Sequence, residues 1–84
     1  MSKIIYTFFI LLFFVVTIFA QINLNSASKD ELMTLPGIGS VKAQAIIEYR
    51  AQYGEFHTLD ELINVKGIGK KTIQNIKDKV IIKQ

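Results

Sequence analysis

The chain has 84 residues and a net charge of +3, from ten Lys and Arg against seven Asp and Glu, with no Cys, no Trp, one Pro and one His. That length holds one small domain. The absent cysteines exclude disulfide staples, thiolate zinc sites and cysteine nucleophiles, and a lone His57 cannot build a multi-histidine metal cage.

Met1 to Ala20 opens with Lys3, runs without a break through apolar residues from Phe8 to Val16, and closes on Ala20 before Gln21. This is the pattern of a secretory signal peptide. The stretch Ile4 to Ala20 also stands at the lower limit for a helix spanning hydrocarbon, so retention as a short membrane anchor is the alternative to cleavage. Both readings export the domain that follows, residues 21–84.

From there the sequence repeats itself at an offset of 30 positions. Asp30-Glu31-Leu32 returns as Asp60-Glu61-Leu62, Gly37-Ile38-Gly39 as Gly67-Ile68-Gly69, and Gln44 and Ile46 as Gln74 and Ile76. An internal duplication of this kind marks two copies of one structural unit. Ser28 with Glu31, and Thr58 with Glu61, have the spacing of capping boxes and set the start of a short helix in each copy. Leu32 and Leu35, then Leu62 and Val65, give those helices one apolar side. Pro36-Gly37 and Lys66-Gly67 end them.

A longer helix comes next in each copy, with Ile46, Tyr49 and Tyr53 at core spacing in the first and Ile73, Ile76 and Val80 in the second. Gly54 is a helix stop, and Phe56 is expected to turn back into the core. Val80-Ile81-Ile82 is read as the end of the last helix rather than a strand. One short helix pair cannot enclose its own apolar side, so the two copies must pack against each other. A core of this size supplies about 3–5 kcal/mol.

The chemistry falls in the two connections. Glycines on both sides of Ile38, and of Ile68, are expected to turn the backbone with positive φ while the Ile plugs the gap between helices. The amides of Gly39, Ser40 and Val41, and of Gly69, Lys70 and Lys71, then stand unpaired at a helix start, where an anion is favoured. A phosphate is the natural ligand. Backbone donors read charge and geometry without reading bases, so the expected target is a nucleic-acid backbone and not a sequence.

A turn built for packing alone is the competing reading of one such connection; two copies framed alike favour binding. The charge is uneven. Residues 21–56 carry three basic and four acidic side chains, a net −1, and residues 57–84 carry six lysines against three acids, a net +3. Lys66, Lys70 and Lys71 flank the second connection, Lys70, Gln74 and Lys77 share a stripe beside the apolar face, and Lys42 is the best equivalent in the first. The candidate contact residues are therefore Gly37, Gly39, Ser40, Val41 and Lys42 in one copy, and Lys66, Gly67, Gly69, Lys70, Lys71, Gln74 and Lys77 in the other.

The run Ile22-Asn23-Leu24-Asn25-Ser26-Ala27-Ser28, the hairpin Leu35-Pro36-Gly37-Ile38-Gly39 with the residues to Ile47, then Tyr49-Arg50 and Gly54-Glu55-Phe56, resembles the ComEA helix-hairpin-helix domain. The resemblance covers essentially all of residues 21–84. It implies an all-α fold, a tandem helix-hairpin-helix pair in a small pseudo-symmetric helical domain, behind the signal peptide. It further implies an exported receptor in natural transformation, periplasmic or secreted or anchored in the inner membrane by a retained leader, that binds double-stranded DNA without sequence preference and helps draw it toward an inner-membrane uptake channel.

No cofactor is expected. In the wider helix-hairpin-helix group a monovalent cation is held by hairpin carbonyls, an occupant this sequence leaves open. The alternative function is a protein-interaction module, since the same hairpin pair resembles the PsbU-type extrinsic photosystem subunit. An enzyme is the third class. The glycosylases and lyases that carry such hairpins need a base-sized pocket in a much larger domain, so no catalytic residues are assigned. Asp30, Glu31, Asp60 and Glu61 are explained as caps and dipole partners.

Overall fold

The computed structural model describes residues 21–84; the leader read from Met1 to Ala20 lies outside them. Strand β1 (Ile22–Asn23) is followed by helix α1 (Lys29–Met33), helix α2 (Ser40–Tyr53), a 3-10 helix (Leu59–Asn64), helix α3 (Lys70–Ile76) and strand β2 (Val80–Ile81). Among the described residues no helix is long and apolar enough to cross a membrane.

The duplication is visible in the core. Leu32 and Leu62, Leu35 and Val65, Ile38 and Ile68, Ala43 and Ile73, and Ile46 and Ile76 are five pairs at the repeat offset, and all ten side chains are buried. Leu24, Phe56 and Val80 close the cluster. Each fully buried large aliphatic contributes about 1.5–3 kcal/mol relative to exposure, so the shared apolar surface is what fastens two units that could not stand alone.

Local signals explain most boundaries. At α1 the capping box forms: Glu31 N–H donates to Ser28 Oγ at 3.2 Å, and Ser28 N–H donates to Glu31 Oε1 at 3.3 Å. Gly54 ends α2 with φ of 93° and donates its N–H to the Arg50 carbonyl, and Phe56 turns back into full burial.

Four expectations are corrected. The second short helix is 3-10, and Thr58 makes no side-chain cap. The Glu61 carboxylate is engaged one residue upstream instead, where His57 N–H donates to Oε2 at 3.2 Å and His57 Nδ1 lies 3.7 Å from Oε1. Val80 and Ile81 do not finish the last helix. They pair in parallel with Ile22 and Asn23, which adds a two-residue seam to an otherwise helical fold. Asn23 reinforces the seam, its Oδ1 accepting from Lys83 N–H and its Nδ2 donating to the Lys83 carbonyl. Tyr53, read at core spacing, is 67% exposed, because α2 runs past the edge of the core before Gly54; its ring leans on Tyr49, with centroids 4.6 Å apart. The fourth correction concerns the glycines. Within the hairpins positive φ falls on Gly37 (79°) and Gly67 (88°), while Gly39 and Gly69 are extended, with φ of −93° and −109°.

The Asn-x-Asn lead-in acquires a physical account here. Asn25 clasps the corner after α2 with two bonds, accepting from Phe56 N–H at 2.7 Å and donating to the Phe56 carbonyl at 3.0 Å. Arg50 holds the same segment from α2, donating to the carbonyls of Leu24 at 3.0 Å and Ala27 at 2.7 Å.

Candidate functional site

Each hairpin is a tight turn closed by its own backbone. Ile38 N–H donates to the Leu35 carbonyl at 3.2 Å and Ile68 N–H to the Val65 carbonyl at 3.1 Å, and both Ile side chains plug inward as buried residues. The positive φ of Gly37 and Gly67 makes glycine the residue that fits there without strain. Gly39 and Gly69 have no such need: any residue adopts their backbone angles, and a Cβ added at either meets nothing within 4 Å. Neither conformation nor packing asks for glycine at these two positions. A bare backbone facing open space is what the close approach of a ligand requires.

The amides agree with this. Among the described residues the N–H groups of Gly39, Ser40, Val41 and Lys42, and of Gly69, Lys70, Lys71 and Thr72, donate to no acceptor; the first backbone bonds of the following helices come from Ala43 to the Gly39 carbonyl and from Ile73 to the Gly69 carbonyl. Two sets of exposed donors therefore sit where each hairpin meets its helix.

The two hairpins lie side by side. A Cβ placed on Gly67 would stand 3.6 Å from Lys42 Cγ, and one placed on Gly37 would stand 3.9 Å from Thr72 Cγ2, so the third residue of each helix rests against the turn glycine of the opposite hairpin. Lys29, Ser40, Val41, Lys42, Lys66 and Gly67 line an open groove along this junction. Lys29 enters that groove from α1, a placement that only tertiary packing reveals.

The flanking side chains differ between the copies. Lys66, Lys70 and Lys71 are exposed and, among the described residues, make no salt bridge with an acidic side chain. Gln74 and Lys77 are exposed beyond them, and Gln74 shares a second groove with Lys70, Asp60, Ile63 and Ile73. The first hairpin has Pro36, Ser40 and Val41 at the places of those three lysines, and Val41 is 84% exposed. Lys42 is the half-buried exception among the candidate lysines, with its Nζ donating to the Gly37 carbonyl at 3.3 Å. Arg50 is turned away from this work by its two carbonyl acceptors. Among the described residues no three His, Cys, Asp or Glu side chains gather as a metal site.

Known proteins are similar to this chain in sequence. Residues 18–81 match the family described as the helix-hairpin-helix motif. ComE operon protein 1 of Bacillus subtilis is 41% identical over 64 residues, which are 76% of this chain and 31% of that protein. An uncharacterized protein of Haemophilus influenzae is 40% identical over 62 residues, 73% of this chain and 55% of its own length. The endonuclease/exonuclease/phosphatase family domain-containing protein 1 of Homo sapiens is 36% identical over 62 residues, only 11% of its length. The chain thus spans less than a third of the Bacillus relative and about half of the Haemophilus one, and the activity named in the mammalian protein does not transfer with so small a share.

Proposed function

This chain belongs to the ComEA-like helix-hairpin-helix family, and from that membership and the surface just described we propose that it binds double-stranded DNA without sequence preference. Its role on this reading is that of an exported DNA receptor in natural transformation, passing DNA toward an inner-membrane channel. The observation that carries the reading is the pair of bare glycines, Gly39 and Gly69, each beside exposed amides and kept free of side chains for no internal reason. Phosphate oxygens fit such donors, and Lys66, Lys70 and Lys71 supply positive charge at one of the two sites. Donors of this kind position a nucleic-acid backbone and carry no base information.

The test is binding of the purified protein to unrelated double-stranded DNA sequences over a salt series. Sequence-blind affinity that falls by about 0.9 log units per phosphate contact for each log unit of salt is the expected result. A folded protein that binds no DNA at low salt would overturn the proposal. It would favour the second reading, a protein-contact module, for which the exposed Val41 beside the first hairpin, where the second has Lys71, is the specific support.

A further inference from the structure

The Lys42 side chain bonds one turn glycine and passes beside the other. Its Nζ reaches back five residues to the Gly37 carbonyl at 3.3 Å, while its Cγ and Cε lie 3.6 and 3.8 Å from the position a Cβ would take on Gly67 in the other hairpin. Thr72 stands at the equivalent position of the second unit but is too short to do the same, reaching Gly37 alone at 3.9 Å. The aliphatic stem of Lys42 thus runs alongside Gly67, which stays exposed, while the charged end is turned to its own hairpin. This is the behaviour of an amphipathic side chain used for its stem.

We infer that Lys42 is a positioning residue that fixes the spacing between the two phosphate-binding hairpins, in contrast to Lys70 and Lys71, which face solvent. The inference rests on the DNA-binding reading above. A ligand held at two places binds tightly only when the places stand at the separation the ligand offers, and a rigid link between them removes the ordering cost of binding. Short elements flank the second hairpin, the 3-10 helix of six residues before it and α3 of seven after it. Beyond the shared core that holds Ile38 and Ile68, cross-contacts such as this one set the fine spacing of the two turns.

The test compares Lys42→Ala, which removes the stem, with Lys42→Met, which keeps the stem and removes the charge. With the purified protein and a fixed DNA duplex, Lys42→Ala is expected to weaken binding about tenfold with an unchanged salt slope, and Lys42→Met to restore most of the loss. A slope that falls by about 0.9 in both variants would make Lys42 a direct phosphate contact and overturn the inference. Full affinity in folded Lys42→Ala would overturn it as well. The backbone amide resonance of Gly67, read without DNA, keeps the two proposals apart: it is expected to shift in Lys42→Ala and to stay near its original position in Lys42→Met. Should the unaltered protein fail to bind DNA, the function falls by that result, and an unmoved Gly67 resonance in Lys42→Ala would remove the strut independently.

Discussion

The two helix-hairpin-helix units share an interior and differ at the surface. Every buried position of the first from Leu32 to Ile46 has a buried apolar counterpart 30 residues later, and both turns have a positive-φ glycine followed by an inward Ile. Outside, Pro36, Ser40 and Val41 face Lys66, Lys70 and Lys71. Packing constrains the inner residues of both copies alike, because each must complete the other's core. The exposed positions are free of that demand, and the excess of positive charge has been placed on the second copy. Geometry for holding a backbone is thus duplicated, whereas electrostatic attraction is not.

The most severe way to break this comparison is in the core. Leu32→Ala and Leu62→Ala should each destabilise by about 2–5 kcal/mol, enough to unfold much of a domain of this size at room temperature. Denaturant titration would show it, and a gap between them larger than about 1 kcal/mol would mean that one unit bears the fold. Next comes the surface. Lys70→Glu together with Lys71→Glu should lower DNA affinity more than tenfold and flatten the salt slope by about 1.8, while Ser40→Lys with Val41→Lys should steepen it by a similar amount. Fluorescence anisotropy over a salt series reads both.

The glycines separate conformation from access. Gly37→Ala should cost about 1–2 kcal/mol through its positive φ, whereas Gly39→Ala should leave the melting transition within about 0.5 kcal/mol of the original and still weaken DNA binding. Equal stability loss in both would erase the distinction between the two glycines of a hairpin. The smallest contrast is at the caps: Ser28→Ala should cost about 1 kcal/mol and Thr58→Ala only a few tenths, since Ser28 closes a capping box and Thr58 makes no side-chain cap. Thermal unfolding of the two variants side by side measures that difference.

Much of this arrangement was legible in the residues, because a duplication exposes its own core. Positions that keep an apolar residue at both offsets are the ones that pack, and Ser28, Gly54 and Phe56 act through local rules that need no partner from afar. What escaped the sequence was set by distant or competing contacts. The letters Thr-x-x-Glu match Ser-x-x-Glu, but His57 stands ahead of the second box and takes its carboxylate. A strand of two residues has no period to detect, and its partner lies at the opposite end of the domain. Two glycines around an Ile look alike in sequence, although only the first in each hairpin has positive φ. At the candidate site the residue types were readable, but the contact between Lys42 and Gly67 required both units to be folded together.

The seam between β1 and β2 has a consequence for how the units are ordered. Because Ile22 lies beside Val80, the first unit follows the second in space as closely as the second follows the first, and the repeat is closer to a ring with one gap than to two beads on a string. Because β1 and β2 run parallel, a circular permutant that joins residue 84 to residue 21 needs a crossover linker of about a dozen residues; opened at the exposed Gly54–Glu55 corner, it would keep both hairpins within unbroken units. In such a molecule the basic hairpin would come first along the chain, with the same face presented to a ligand.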